Sequence, residues 1–148
     1  MQRLIPLLAV VALSAGSARH YRHQGAMARA QFEATRGNSA VGSVMFHQVG
    51  DAVMVHARVS GLKPNQEHGF HVHEKGDCSS GDGMSAGCHF NPLGKPHGHH
   101  GGSERHAGDL PSLKADADGK VDARFRVSGI SVGSGATDIV DRKSTRLN

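Results

Sequence analysis

The sequence predicts an all-β domain, an antiparallel sandwich or barrel. Three observations carry this. Apolar and polar residues alternate with period two in one stretch after another, turn signals separate those stretches, and no segment keeps a helical period. Composition agrees: 20 glycines, no tryptophan and 4% aromatics in 148 residues mean many turns around a small core. That length suits one domain.

The chain opens on MQRLIPLLAVVALSAGSA, with a basic start, an apolar run from Leu4 to Leu13 and small residues from Ala15 to Ala18. This is the pattern of a signal peptide over residues 1–18, with an apolar run too short to span a bilayer. It contains no cysteine to carry a lipid, so an exported protein, free of the membrane after cleavage, is expected. Residues 19–30 show no clear period and read as a flexible leader remnant, with His20 and His23 in a solvated tail.

The domain is expected over residues 31–140. AQFEAT reads as a short strand. In the next, Val44 and Phe46 share one face, with Ser43, Met45 and His47 on the other. Gly50-Asp51 sits where a hairpin turn belongs. The following strand sets Val53, Val55, Ala57 and Val59 against Met54, His56, Arg58 and Ser60. His47 and His56 therefore read as solvent-facing residues. A turn over GLKPNQ leads to EHGFHVHEK, where Phe70 and Val72 face one way and His71 and His73 the other. A rise of about 3.3 Å per residue puts those two imidazoles roughly 7 Å apart at the backbone.

Some forty residues without a regular period follow, rich in Gly, Ser, His and Pro, and a loop of about that length in a compact domain is either functional or disordered. Beyond it, SLKADADGKVDARFRV reads as two short strands joined by a hairpin at Asp118-Gly119. The Asp-x-Asp-Gly string invites a calcium loop but fails as one, because the glycine comes too early and no glutamate closes it.

The chemistry concentrates in the loop. His89, His97 and His106 are spaced by eight and nine residues, and Asp109 lies three further on. Three imidazoles and a carboxylate suit a closed zinc site, and the intervening glycines let the chain fold around a small ion. The same composition fits a loose metal scavenger or a polar surface. Formal charge is a modest +4, and no basic run interleaves with aromatics, so nucleic-acid binding is not expected. Cys78 and Cys88 can pair in an exported protein, and so short a loop would be stabilised by roughly 2–3 kcal/mol.

These residues carry a resemblance. GFHVHEKGDC, HFNP after Cys88, KPHG and RHAGDLP, in this order and spacing, resemble the copper/zinc superoxide dismutases of the bacterial exported type, over roughly residues 30–140. The resemblance implies a Greek-key β-sandwich with a long metal-binding loop, copper and zinc as cofactors, and superoxide as substrate. It implies disproportionation to dioxygen and hydrogen peroxide, outside the cytoplasm, in the periplasm or extracellular space, and it allows a homodimer. His71 and His73 match copper ligands, and His89 the ligand shared by both metals and the catalytic proton carrier. His97, His106 and Asp109 complete the zinc set. His99 and His100 match no ligand and are expected to be exposed. Gly87 and Phe90 to Pro92 match the surroundings of the shared ligand, and Cys78 the cysteine that ties this loop to the barrel.

The chain departs from the family pattern after Val140. It reads DRKSTRLN from Asp141, where the family continues into strands bearing a fourth copper histidine, an anion-guiding arginine and a second cysteine. Residues 141–148 resemble none of these strands and read as a non-native tail on a truncated gene, with the last two strands missing. Cys88 stands where relatives carry glycine. This chain is accordingly expected to fold, bind zinc and dismutate poorly. The alternative reading is a non-catalytic exported copper/zinc-binding module.

Overall fold

The computed structural model describes residues 25–140 and 145–147. Among these residues, seven strands make two antiparallel sheets: β1 (Met27–Phe32), β2 (Val41–Val49), β3 (Ala52–Ser60), β4 (Glu67–Val72), β5 (Asp109–Lys114), β6 (Val121–Val127) and β7 (Thr145–Leu147). The order is β1-β2-β3-β6 in the four-stranded sheet and β5-β4-β7 in the three-stranded one. A single 3-10 turn at Met84–Ala86 is the only helical element among the described residues. Among the described residues, no helix is long and apolar enough to cross a membrane.

The predicted alternation is what packs the sandwich. Val44, Phe46, Val53, Val55, Ala57 and Val59 point inward from β2 and β3 and are buried. Phe70 and Val72 meet them from β4. Phe70 is fully buried, with ring centroids 6.1 Å from Phe32 and 6.3 Å from Phe125. Burial of one such ring contributes about 1.5–3 kcal/mol. The β2–β3 turn forms at Gly50-Asp51 as predicted, with Gly50 at φ 62°, a left-handed conformation that glycine adopts without strain.

Two expectations are corrected. First, β5 and β6 do not form a hairpin. β5 pairs with β4 and β6 with β3, so the turn at Asp118-Gly119 is a corner between sheets. The Asp116 carboxylate serves that corner, accepting from the Asp118 and Lys120 amides at 2.9 and 2.8 Å. The corner also gives the chain its Greek-key course, because β6 passes β4 and β5 to lie beside β3. Second, β1 begins at Met27, inside the stretch expected to be leader remnant. Thr145–Leu147, within the stretch read as a non-native tail, pairs antiparallel with β4. Residues 1–24, with the expected signal peptide, and 141–144 lie outside the described residues.

Candidate metal centre

The site is built where β4 ends. A bulge between His68 and Phe70 shifts the β4–β5 register, and beyond it His71 stands opposite Asp109. Bulges re-aim side chains in this way. Gly69 makes room at the bulge, since a Cβ there would lie 2.9 Å from Cε1 of the His71 ring. One step on, His73 forms an isolated antiparallel bridge with His89. The loop therefore returns as a short extension of the sheet, and the Phe90 amide donates to the Val72 carbonyl at 2.8 Å. The Val72 amide in turn donates to Gly108, at 2.9 Å, and the Gly108 amide to Phe90, at 2.8 Å. Three backbone segments are thus clamped together, and each carries ligand candidates within two residues.

His89 is the hub. Its ring centroid is 4.0 Å from His71, which stacks on it, and 5.2 Å from His73. It is also 5.3 Å from His97 and 5.8 Å from His106. Asp109, 2% exposed, accepts from His89 Nδ1 at 2.7 Å through Oδ1, and its Oδ2 lies 3.2 Å from His97 Nδ1 and 3.7 Å from His106 Nδ1. Donor atoms of His89, His97, His106 and Asp109 all lie within 4.8 Å of one another. The six ligand candidates singled out from the sequence, His71, His73, His89, His97, His106 and Asp109, thus lie together around His89.

Several nitrogens there have no protein partner. His71 Nδ1, His73 Nε2 and His106 Nδ1 are buried and make no hydrogen bond among the described residues. Buried polar atoms are rarely left so, and an ion is one accepted reason. For His73 the tautomer follows from its neighbour. Nδ1 donates to the Gly87 carbonyl at 2.8 Å, so the lone pair sits on Nε2. Bare imidazole lone pairs beside a carboxylate fit copper and zinc in donor chemistry.

Burial favours the neutral forms of His71 and His89. Burial, then the neighbouring His89, pushes His71 down to about 4. His89 is lowered too, with burial the main cause and its hydrogen bond to Asp109 working against it. Burial pushes the Asp109 carboxyl up, but hydrogen bonds from His89 and the His106 amide outweigh this and hold it below its ordinary value. Neutral imidazoles and an ionised carboxylate are the forms that bind a cation.

Two supporting residues were not legible from the sequence. Arg105 reaches from the loop to the Ser128 carbonyl at 3.0 Å and the Asp109 carbonyl at 3.3 Å, bracing the ligand segment against the end of β6. His100, expected to be exposed, is half-buried and donates from Nδ1 to the Asp109 carbonyl at 3.1 Å. His99 is exposed as expected. Cys78 and Cys88 are both exposed and are not joined to each other.

Comparison with known proteins gives this geometry its family. The model of the copper/zinc superoxide dismutases matches residues 40–144. The chain belongs to the copper/zinc superoxide dismutase family. A relative named superoxide dismutase [Cu-Zn], from Paramecium bursaria Chlorella virus 1, is 43% identical over 102 residues, 68% of this chain and 53% of the relative. Superoxide dismutase-like protein YojM of Bacillus subtilis is 40% identical over 102 residues, 68% of this chain and 52% of that protein. The chain spans about half the length of these two curated relatives. Among solved structures, the clock protein EA4 superposes with a TM-score of 0.72 at 35% identity, covering 84% of this chain and 74% of that one. The copper/zinc superoxide dismutase family uses copper and zinc, and the His/Asp cluster of this member is a set able to hold metal.

Proposed function

We propose that this chain disproportionates superoxide at a copper/zinc centre. The observation that carries the reading is the position of His89, whose ring neighbours both the His71/His73 pair and the His97/His106/Asp109 set. His71, His73 and His89 would hold copper. His89, His97, His106 and Asp109 would hold zinc. Copper, when bound, supplies one-electron redox chemistry to a net reaction in which two superoxide anions and two protons give one dioxygen and one hydrogen peroxide.

The chain's own residues do the positioning and hold the proton. Asp109 fixes the Nδ1 edge of His89, at 2.7 Å, so Nε2 is the atom left to take up and give back a proton. Gly87 and Arg105 hold the ligand segments from behind. The basic start and apolar run of residues 1–18 support an exported protein, periplasmic or extracellular. The family match supports a dismutase-like domain over residues 31–140.

A second reading is a non-catalytic exported copper/zinc-binding module. The copper side favours it, because among the described residues the imidazoles gathered there are His71, His73 and His89 alone. With that ligand set, activity should be weak. Dismutation assayed on the zinc-loaded chain with and without copper decides the matter. Copper-dependent turnover supports the enzyme, and stoichiometric metal binding without turnover supports the module.

A further inference from the structure

The outer face of the four-stranded sheet carries a second group of metal-binding side chains, separate from the centre above. Strand register puts Met27 of β1, His47 of β2 and Met54 of β3 in one row as successive cross-strand partners. Met45 and His56 are paired in the next row of the same face. Directly opposed residues have Cβ atoms about 4.5–5.5 Å apart, within reach of a shared ion for side chains of this length. Methionine on a solvent face is unusual for a strand, and Met27 is 56% and Met54 37% exposed.

His47 supplies the independent observation. Its Nε2 atom is shielded from solvent and has no hydrogen-bond partner among the described residues, although the residue lies on the outer face. The imidazole in the neighbouring row is already committed, since His56 Nε2 pairs with Asp122 at 2.6 Å. Asp122 is further engaged by Arg58 at 3.3 Å, and Arg126, next to Met54 in the row, is held by Asp51 at 3.0 Å. The face thus offers thioethers and one uncommitted imidazole in basic surroundings, with its carboxylates occupied. Hard divalent cations find no ligands there. A soft monovalent d10 cation does, because thioether and imidazole donors select Cu(I).

We propose that Met27, His47 and Met54, with Met45 beside them, form a surface site for Cu(I). The inference does not depend on the dismutase reading, since none of these residues belongs to the centre around His89.

The test uses the full zinc-loaded chain labelled with 13C at the methionine methyls, titrated with Ag(I) as a redox-inert probe. The Met27 and Met54 methyl resonances should shift together and saturate, while that of Met84, 70% exposed on the distant loop, stays in place. Parallel movement of Met84, or no movement of Met27 and Met54 at stoichiometric Ag(I), overturns the proposal. His47→Gln should raise the half-shift concentration by at least the roughly tenfold that loss of a ligand's supporting partner alone causes. An unchanged midpoint also overturns it. Met54→Leu, which keeps the side-chain volume on an exposed face, gives the same test through the Met27 methyl should the histidine variant fold badly.

Discussion

His73 and His89 face each other across a single β-bridge, with their rings nearly perpendicular at 81° and 5.2 Å between centroids. A residue just past the end of β4 and a residue from an irregular loop are thereby fixed opposite each other. The loop does not dangle near the sheet; one bridge ties it to the sheet's end.

The hub position of His89 predicts an asymmetry between ligand substitutions. His89→Ala should weaken both zinc and copper retention, each by at least about 10–100-fold, because both sets converge on this ring. His97→Ala removes a ligand candidate whose side chain is 63% exposed and which touches only the zinc side, so zinc should be lost while copper is kept. Metal content after dialysis, measured on both variants, checks this. Equal loss of copper in the two would show that His89 is not shared.

Gly108→Ala should damage the site without touching a ligand. A Cβ at this position would lie 2.3 Å from the Val72 carbonyl oxygen and 3.0 Å from the Phe90 amide nitrogen. Both are backbone atoms of the clamp and cannot rotate away. A loss of about 2 kcal/mol or more in urea denaturation of the metal-free protein is expected, with weaker zinc binding.

Acid should destabilise the metal-free protein in two separable steps. The folded His71 ring resists protonation down to about pH 4, against 6.5 ordinarily, whereas the unfolded chain takes up the proton at the ordinary value. Stability is therefore intact above pH 6.5 and falls as pH drops from there to 4, with His89 acting in the same direction. At this half-exposed site, solvent screening limits the loss to about 1–2 kcal/mol. Asp109 behaves oppositely in position: its folded value is depressed, so its contribution persists above the ordinary carboxylate value and is lost only as pH falls through the lower one. Denaturant midpoints between pH 8 and 4, compared with those of His71→Phe, should show the first step shrink in the variant to the part that His89 contributes.

Asp109→Asn keeps the shape and removes the charge. The buried carboxylate accepts from the His89 ring and the His106 amide, and an amide cannot accept from both and also face His97. The metal-free protein should lose about 1–3 kcal/mol at neutral pH, and zinc affinity should fall with it. Thermal melts with and without zinc measure both effects.

What the sequence disclosed depended on how local each signal is. The faces of β2, β3 and β4 could be read residue by residue, because side-chain alternation is set within the strand. The ligand candidates could be named because their order and spacing form a motif. The β5–β6 hairpin was misread for the opposite reason. Asp118-Gly119 has the same turn chemistry whether its flanking strands pair with each other or join different sheets, and the partner strands β4 and β3 lie far away in sequence. Arg105, His100 and Gly108 were missed because each acts through a backbone carbonyl, which leaves no trace in residue type. His47 was taken as a plain surface residue, since alternation shows a face but not what shields an atom on it.

The backbone clamp between Val72 and Gly108 also bears on how such a chain can diversify. It ties off residues 73–107 as a closed excursion whose two ends meet regardless of what lies between. Lengthening a tied loop is cheap, since doubling its length adds only about 0.6 kcal/mol of closure entropy. Insertions and deletions at the Gly101-Gly102 tip of the excursion, between His97 and His106, can then accumulate over generations while the knot at its base keeps the reactive geometry in place.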